Sequence, residues 1–98
     1  LRESLTNAAL ETLSIVAYAG PMTRAELEYI RGVNSSFTLR NLLIRGLVGR
    51  QLDPRRGNVF LYRPSFDLLK HLGVSKVEDL PEYEKFQVLI EKLRNENQ

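Results

Sequence analysis

Arginine carries most of the usable chemistry in this chain. Arg40, Arg45, Arg50, Arg55, Arg56 and Arg63 share one stretch with a single acid, Asp53. A guanidinium forks onto phosphate and carboxylate alike, so the stretch suits either anion; it also reads as a solvated charged face. Arg55 and Arg56 sit together in a turn and are the best candidates for phosphate contacts. Two such contacts give only weak nucleic-acid binding, with a log–log salt slope of about −2. Other reactive groups are scarce. The absence of cysteine excludes disulfides, thiolate zinc sites and cysteine nucleophiles, and it favours a reducing compartment. The lone histidine, His71, excludes a multi-histidine metal site and reads as a structural or surface residue. No glycine loop cradles phosphate, no ligands pair at metal spacing, and no base stands beside a nucleophile. Glu26 and Glu28 fit capping and solvation. The expectation is a binding protein with no catalytic residues, no metal and no cofactor.

Such side chains need elements to position them, and 98 residues suffice for one small domain. Apolar residues make up 43% and charged residues 27%, both ordinary for a globular chain. The net charge of +2 is too small to point to nucleic acid by itself. It averages an arginine-rich middle with a mildly acidic tail that holds every lysine. No apolar run reaches the roughly 18 residues of a membrane span, and no secretory signal opens the chain. A first residue of Leu1 points to a fragment or a processed product.

The periodicity predicts three short helices, a hairpin and further helices. Ala9, Leu10, Leu13, Val16 and Ala17 form the first apolar stripe, with Leu5 extending it and Ile15 off to one side. Gly20 suits a left-handed cap and Pro21 ends the helix. Thr23-Arg24-Ala25-Glu26 is a capping box for a second helix that Gly32 stops. A third helix starts near Asn34 or Ser35, either able to cap it, and runs to Arg45 before Gly46. Residues 47–52 and 59–62 are short β-prone runs around a turn cluster, giving a hairpin whose tip lies at 55–58. This is a winged helix-turn-helix, mainly α with a small β-hairpin, followed by C-terminal helices. Pro64 and Ser65 introduce a helix over 66–72, and Ser75-Lys76-Val77-Glu78 reads as a second capping box. An amphipathic helix spans about 82–95, with Tyr83, Phe86, Leu89, Ile90 and Leu93 on one face. The division is a winged-helix domain over 1–80 and a C-terminal helix over 81–98, packed on it or on a partner.

Two faces are candidates for binding. With Leu39, Leu42, Leu43 and Gly46 toward the core, Phe37, Asn41 and Ile44 point the opposite way. Phenylalanine and isoleucine are poor readers of base edges but suit a protein partner. The same face also fits packing against the fourth or last helix. Tyr83, Phe86 and Ile90 make the second face, which either folds back onto the domain or docks on a partner helix or a second copy. Tyr18 and Tyr29 read as partly buried rings with wet hydroxyls.

Residues 9–18, then Thr23-Arg24-Ala25-Glu26-Leu27 followed by Arg31-Gly32-Val33-Asn34-Ser35, resemble the C-terminal winged-helix domain of the bacterial segregation and condensation protein B family. Leu39-Arg40, Leu42-Leu43, Arg45-Gly46-Leu47-Val48, Leu61-Tyr62, Leu72-Gly73-Val74 and Glu78-Asp79-Leu80-Pro81 keep the family's order and spacing, so the resemblance covers roughly residues 8–81. Phe37 and Ile44 stand where members usually carry small or acidic residues. The Pro54-Arg55-Arg56-Gly57-Asn58 turn departs from the family's wing, as Arg63-Pro64-Ser65 does after it. The resemblance implies an accessory, non-catalytic subunit of a condensin-like complex in chromosome condensation and segregation. It also implies a kleisin partner (segregation and condensation protein A), an SMC ATPase reached through it, homodimerisation of the full-length protein, and a cytoplasmic, nucleoid-associated location. The alternative is a DNA-binding winged-helix transcriptional regulator that uses Arg55 and Arg56.

Overall fold

Thr6 opens α1 (Asn7–Ala19) by accepting the Ala9 N–H at 3.1 Å, which satisfies an amide that the helix itself cannot. The computed structural model describes residues 5–96. Leu13, Val16 and Ala17 face inward as their spacing predicts, but Leu10 is about half exposed. Thr12 takes an inward position instead, its hydroxyl donating to the Ala8 carbonyl at 2.8 Å so that no polar group is stranded.

The Thr23–Glu26 capping box forms in full and starts α2 (Arg24–Arg31). Gly32 ends it with φ +75°. α3 (Ser36–Ile44) starts where the sequence places it, and of its two candidate caps one acts. Asn34 accepts the Ser36 N–H, whereas the Ser35 hydroxyl caps nothing. Ser35 is fully buried, and its N–H donates to Glu28 of α2 at 2.7 Å. Arg31, with a nearly buried side chain, bonds Ser35 Oγ at 2.9 Å and Glu11 of α1 at 3.0 Å. One guanidinium therefore ties three helices together.

Gly46 is exposed rather than on the core side. It takes φ +74° and closes α3, with its N–H on Leu43 O and the Leu47 N–H on Leu42 O. The chain then enters β1 (Val48–Asp53), which pairs antiparallel with β2 (Arg56–Pro64). β1 lies one residue later than its β-prone run, β2 extends beyond its own at both ends, and the hairpin tip is Pro54-Arg55. Register parity follows from one bond. Ser65 N–H donates to Leu47 O at 3.0 Å, so Gly49↔Arg63 and Gln51↔Leu61 exchange ladder bonds. Val48↔Pro64, Arg50↔Tyr62 and Leu52↔Phe60 are the intervening pairs, which costs Pro64 no ladder bond. By the same parity Tyr62 points its backbone away from β1, and there it pairs with Met22 at 2.7 and 3.0 Å.

This bridge sits beside the end of α1, where Gly20 is extended (φ −74°, ψ 168°), not left-handed, and precedes a cis bond to Pro21. A Cβ on Gly20 would lie 2.5 Å from Val16 O and 3.0 Å from Tyr62 O, so close approach requires glycine there.

Ser65 caps α4 (Phe66–His71) through the Leu68 N–H. Ser75 caps nothing: a 3-10 turn (Val77–Asp79) follows Lys76 without any side-chain cap. The last element is α5 (Tyr83–Glu96). Leu13, Val16, Met22, Leu27, Leu39, Leu42, Val48 and Tyr62 belong to the main core. Ala17, Leu69 and Leu80 form a smaller one under the post-wing segment. Three helices followed by an antiparallel hairpin make a winged helix.

Candidate protein-binding surfaces

Phe37, Asn41 and Ile44 recur at helical spacing along α3 and all face outward. Phe37 and Ile44 are each 75% exposed, while Leu39 and Leu42 on the opposite side are buried. Neither α4 nor α5 covers the outward face. Two large apolar side chains thus project from the helix that, in a DNA-reading winged helix, enters the major groove.

Tyr83, Phe86 and Ile90 are turned toward the body of the domain. The Tyr83 and Phe86 rings lie 6.5 and 4.8 Å from the Tyr18 ring of α1, and Ile90 packs at the margin of the main core. Polar contacts hold the same approach. Gln87 Nε2 donates to Tyr18 O at 2.6 Å, the Tyr18 hydroxyl donates to Pro81 O at 2.9 Å, and Arg94 donates to Ala19 O at 3.3 Å. Val88, Leu89 and Leu93 stay substantially exposed. Tyr29 is also largely exposed, unlike the half-buried Tyr18. Between α1, α2 and α5 lies an apolar groove of about 320 Å³, lined by Ile15, Tyr18, Ile30, Phe86, Ile90 and Leu93 among others. Ile15 off the α1 stripe and the apolar face of the last helix were the sequence signs of this groove.

The arginine stretch does not act as one patch. Asp53, buried at the base of the wing turn, accepts the Arg55 N–H at 2.8 Å and the Arg56 Nε at 3.1 Å. The Arg55 N–H, and then the Arg56 guanidinium, hold the Asp53 carboxyl below its ordinary value against the opposing effect of desolvation. Arg50 lies 4.0 Å above the Phe60 ring, and Arg63 donates to Gln51. Arg40 and Arg55 are exposed. His71 is exposed near the end of α4. Among the described residues no cluster of His, Cys, Asp and Glu could hold a metal, and no helix is long and apolar enough to cross a membrane.

A sequence model of the segregation and condensation complex subunit ScpB matches residues 1–83. The chain belongs to the ScpB family. Segregation and condensation protein B of Pediococcus pentosaceus is 46% identical over 87 residues, covering 86% of this chain and 43% of that protein. The crystal structure of ScpB from Mycobacterium tuberculosis superposes with a TM-score of 0.66 at 42% identity, covering 74% of this chain and 46% of that one. The chain thus spans about half the length of the relatives it matches. Lactococcus lactis ZitR superposes over 98% of this chain and 64% of its own, with a TM-score of 0.66 but only 16% identity, a likeness of fold alone.

Proposed function

We propose that this chain is the kleisin-binding winged-helix part of a non-catalytic accessory subunit in a bacterial SMC–kleisin complex. The subunit works in chromosome condensation and segregation, in the cytoplasm and with the nucleoid. It reaches the SMC ATPase through the kleisin, segregation and condensation protein A, and the full-length protein is a homodimer. The division falls near residue 80, with the winged-helix domain over 1–80 and a C-terminal part over 81–98 whose helix, α5, docks on it. The role needs no cofactor or metal. Family membership supports the complex; the observation that carries the binding mode is the outward face of α3. Burying Phe37 or Ile44 against a partner is worth roughly 1.5–3 kcal/mol each, with Asn41 between them supplying a hydrogen-bonding group. Tyr83, Phe86 and Ile90 set the wall of a second apolar surface next to α1.

Titration with a purified kleisin central segment tests this. Phe37→Asp and Ile44→Asp should each weaken binding by about tenfold or more, with the fold intact because both positions are exposed. Unchanged affinity in both variants would remove α3 as the site. The exposed Arg55 at the wing tip favours a second reading, a DNA-binding regulator. It requires Arg55→Ala and Arg56→Ala to abolish a salt-sensitive duplex shift, and no shift at low salt sinks it.

A further inference from the structure

The wing is a two-stranded sheet with one edge closed and one open. Met22 closes the outer edge of β2 by pairing with Tyr62. On the far side, among the described residues, no strand pairs with β1. Ladder parity then decides which groups face that opening. Arg50 sits opposite Tyr62, whose backbone turns toward Met22, so the Arg50 N–H and C=O turn the other way, into solvent. Leu52, two residues on and opposite Phe60, repeats that orientation. Both residues are exposed, whereas Val48 at the start of the strand is buried. The usable edge is therefore short and centred on Arg50 and Leu52.

Open edges are normally guarded by proline, by charges, by shortness or by a bulge. Here the one register shift falls after Leu52, between Leu52 and Asp53, which bounds the usable edge without interrupting it at Arg50 and Leu52. β1, Val-Gly-Arg-Gln-Leu-Asp, has neither proline nor lysine. Its one cation does not stand guard either, because the Arg50 guanidinium lies over the Phe60 ring on the face of the sheet. Charge selects the occupant. Arg50, Arg55, Arg56 and Arg63 are spread over both faces and the tip of the hairpin rather than gathered in one patch, but its single acid, Asp53, is already engaged by Arg56, so the wing as a whole carries a positive excess. A second copy of this wing would bring like charges together, whereas an acidic strand would complement them.

We propose that the open edge of β1 takes up an extended acidic segment of a protein partner as an added strand. The segment donates to and accepts from the backbone of Arg50 and Leu52, with an acid opposite Arg50 and an apolar side chain opposite the half-exposed Leu52. This surface is separate from the α3 face, and its test does not depend on the kleisin.

The probe is a capped peptide, Thr-Glu-Thr-Val-Thr-Glu-Thr, with a version carrying Lys for Glu and a short duplex DNA as comparisons. Amide NMR of this chain should show the Arg50 and Leu52 N–H groups shifting and gaining exchange protection with the acidic peptide. The Lys version should bind about tenfold or more weakly. Leu52→Pro removes an N–H that the intramolecular ladder does not use, as Pro64 does on the facing strand, so it should keep the fold and lose the peptide. Should that variant unfold, the amide protection in the parent chain still decides. Equal binding of both peptides, protection elsewhere than on β1, undiminished binding by a folded Leu52→Pro variant, or protection of the edge by duplex alone would each overturn the proposal.

Discussion

Gly20→Ala separates a glycine needed for its torsions from one needed for its smallness. With φ −74° and ψ 168°, Gly20 has a backbone open to any residue. On torsions alone the substitution should stabilise the fold by about 0.4–1 kcal/mol, by stiffening the unfolded chain. The packing reverses that sign. The new methyl meets Val16 O at 2.5 Å and Tyr62 O at 3.0 Å, and both are backbone atoms that no rotamer change can move. Relief requires α1 and β2 to separate, which strains the Gly20–Val16 bond at 2.9 Å and the paired Met22–Tyr62 bonds. Overpacking of about 1–3 kcal/mol, plus about one weakened hydrogen bond, gives a loss of roughly 2–4 kcal/mol. Gly32→Ala is the comparison. It has a left-handed backbone (φ +75°) and nothing within 4 Å of a Cβ, so only torsional strain of about 1–2 kcal/mol applies. Urea melts followed by far-UV circular dichroism should place Gly20→Ala below Gly32→Ala. The Gly20→Ala melting temperature should fall by roughly 10–25 °C. If Gly20→Ala matches the parent, or proves milder than Gly32→Ala, the steric argument is wrong.

Two further predictions concern polar groups. Because the folded Asp53 carboxyl titrates below its ordinary value, its contribution is complete above about pH 4 and is lost as pH falls through the lowered folded value. Asp53→Asn should therefore flatten the acid limb of a melting-temperature profile; an unchanged limb would show that the turn bonds do not matter. Glu28→Ala strands the N–H of the fully buried Ser35 and should cost about 1–3 kcal/mol in urea melts, with Glu28→Gln losing less because it keeps an acceptor. Equal losses in the two variants would argue against a capping role.

Local rules identified most of the elements. Helical spacing found α1 and α3, the Thr23–Glu26 pair found the start of α2, and a turn cluster between β-prone runs found the hairpin. What these rules left open or missed lay where two candidates competed for one local job or where the decisive neighbour was distant. Asn34 and Ser35 are equivalent as caps on paper, yet Glu28 and Arg31 claim Ser35 from another helix. Ser75 had the spacing of a capping box and a brief 3-10 turn does follow, but no side chain caps it. The α3 face was legible because helical geometry alone separates Phe37, Asn41 and Ile44 from Leu39 and Leu42. The groove and the open β1 edge were not, since each is defined by elements far apart in the chain.

Periodicity, capping and turn chemistry operate over three or four residues, so the sequence alone determined the helices, the hairpin, the outward pair on α3 and the lack of cysteine chemistry. Which arginines are engaged was decided only by the tertiary structure. So were the requirement for a bare glycine at position 20 and the opening of one wing edge while Met22 closes the other. Those outcomes depend on backbone groups brought together from distant parts of the chain, and no local spacing encodes that approach.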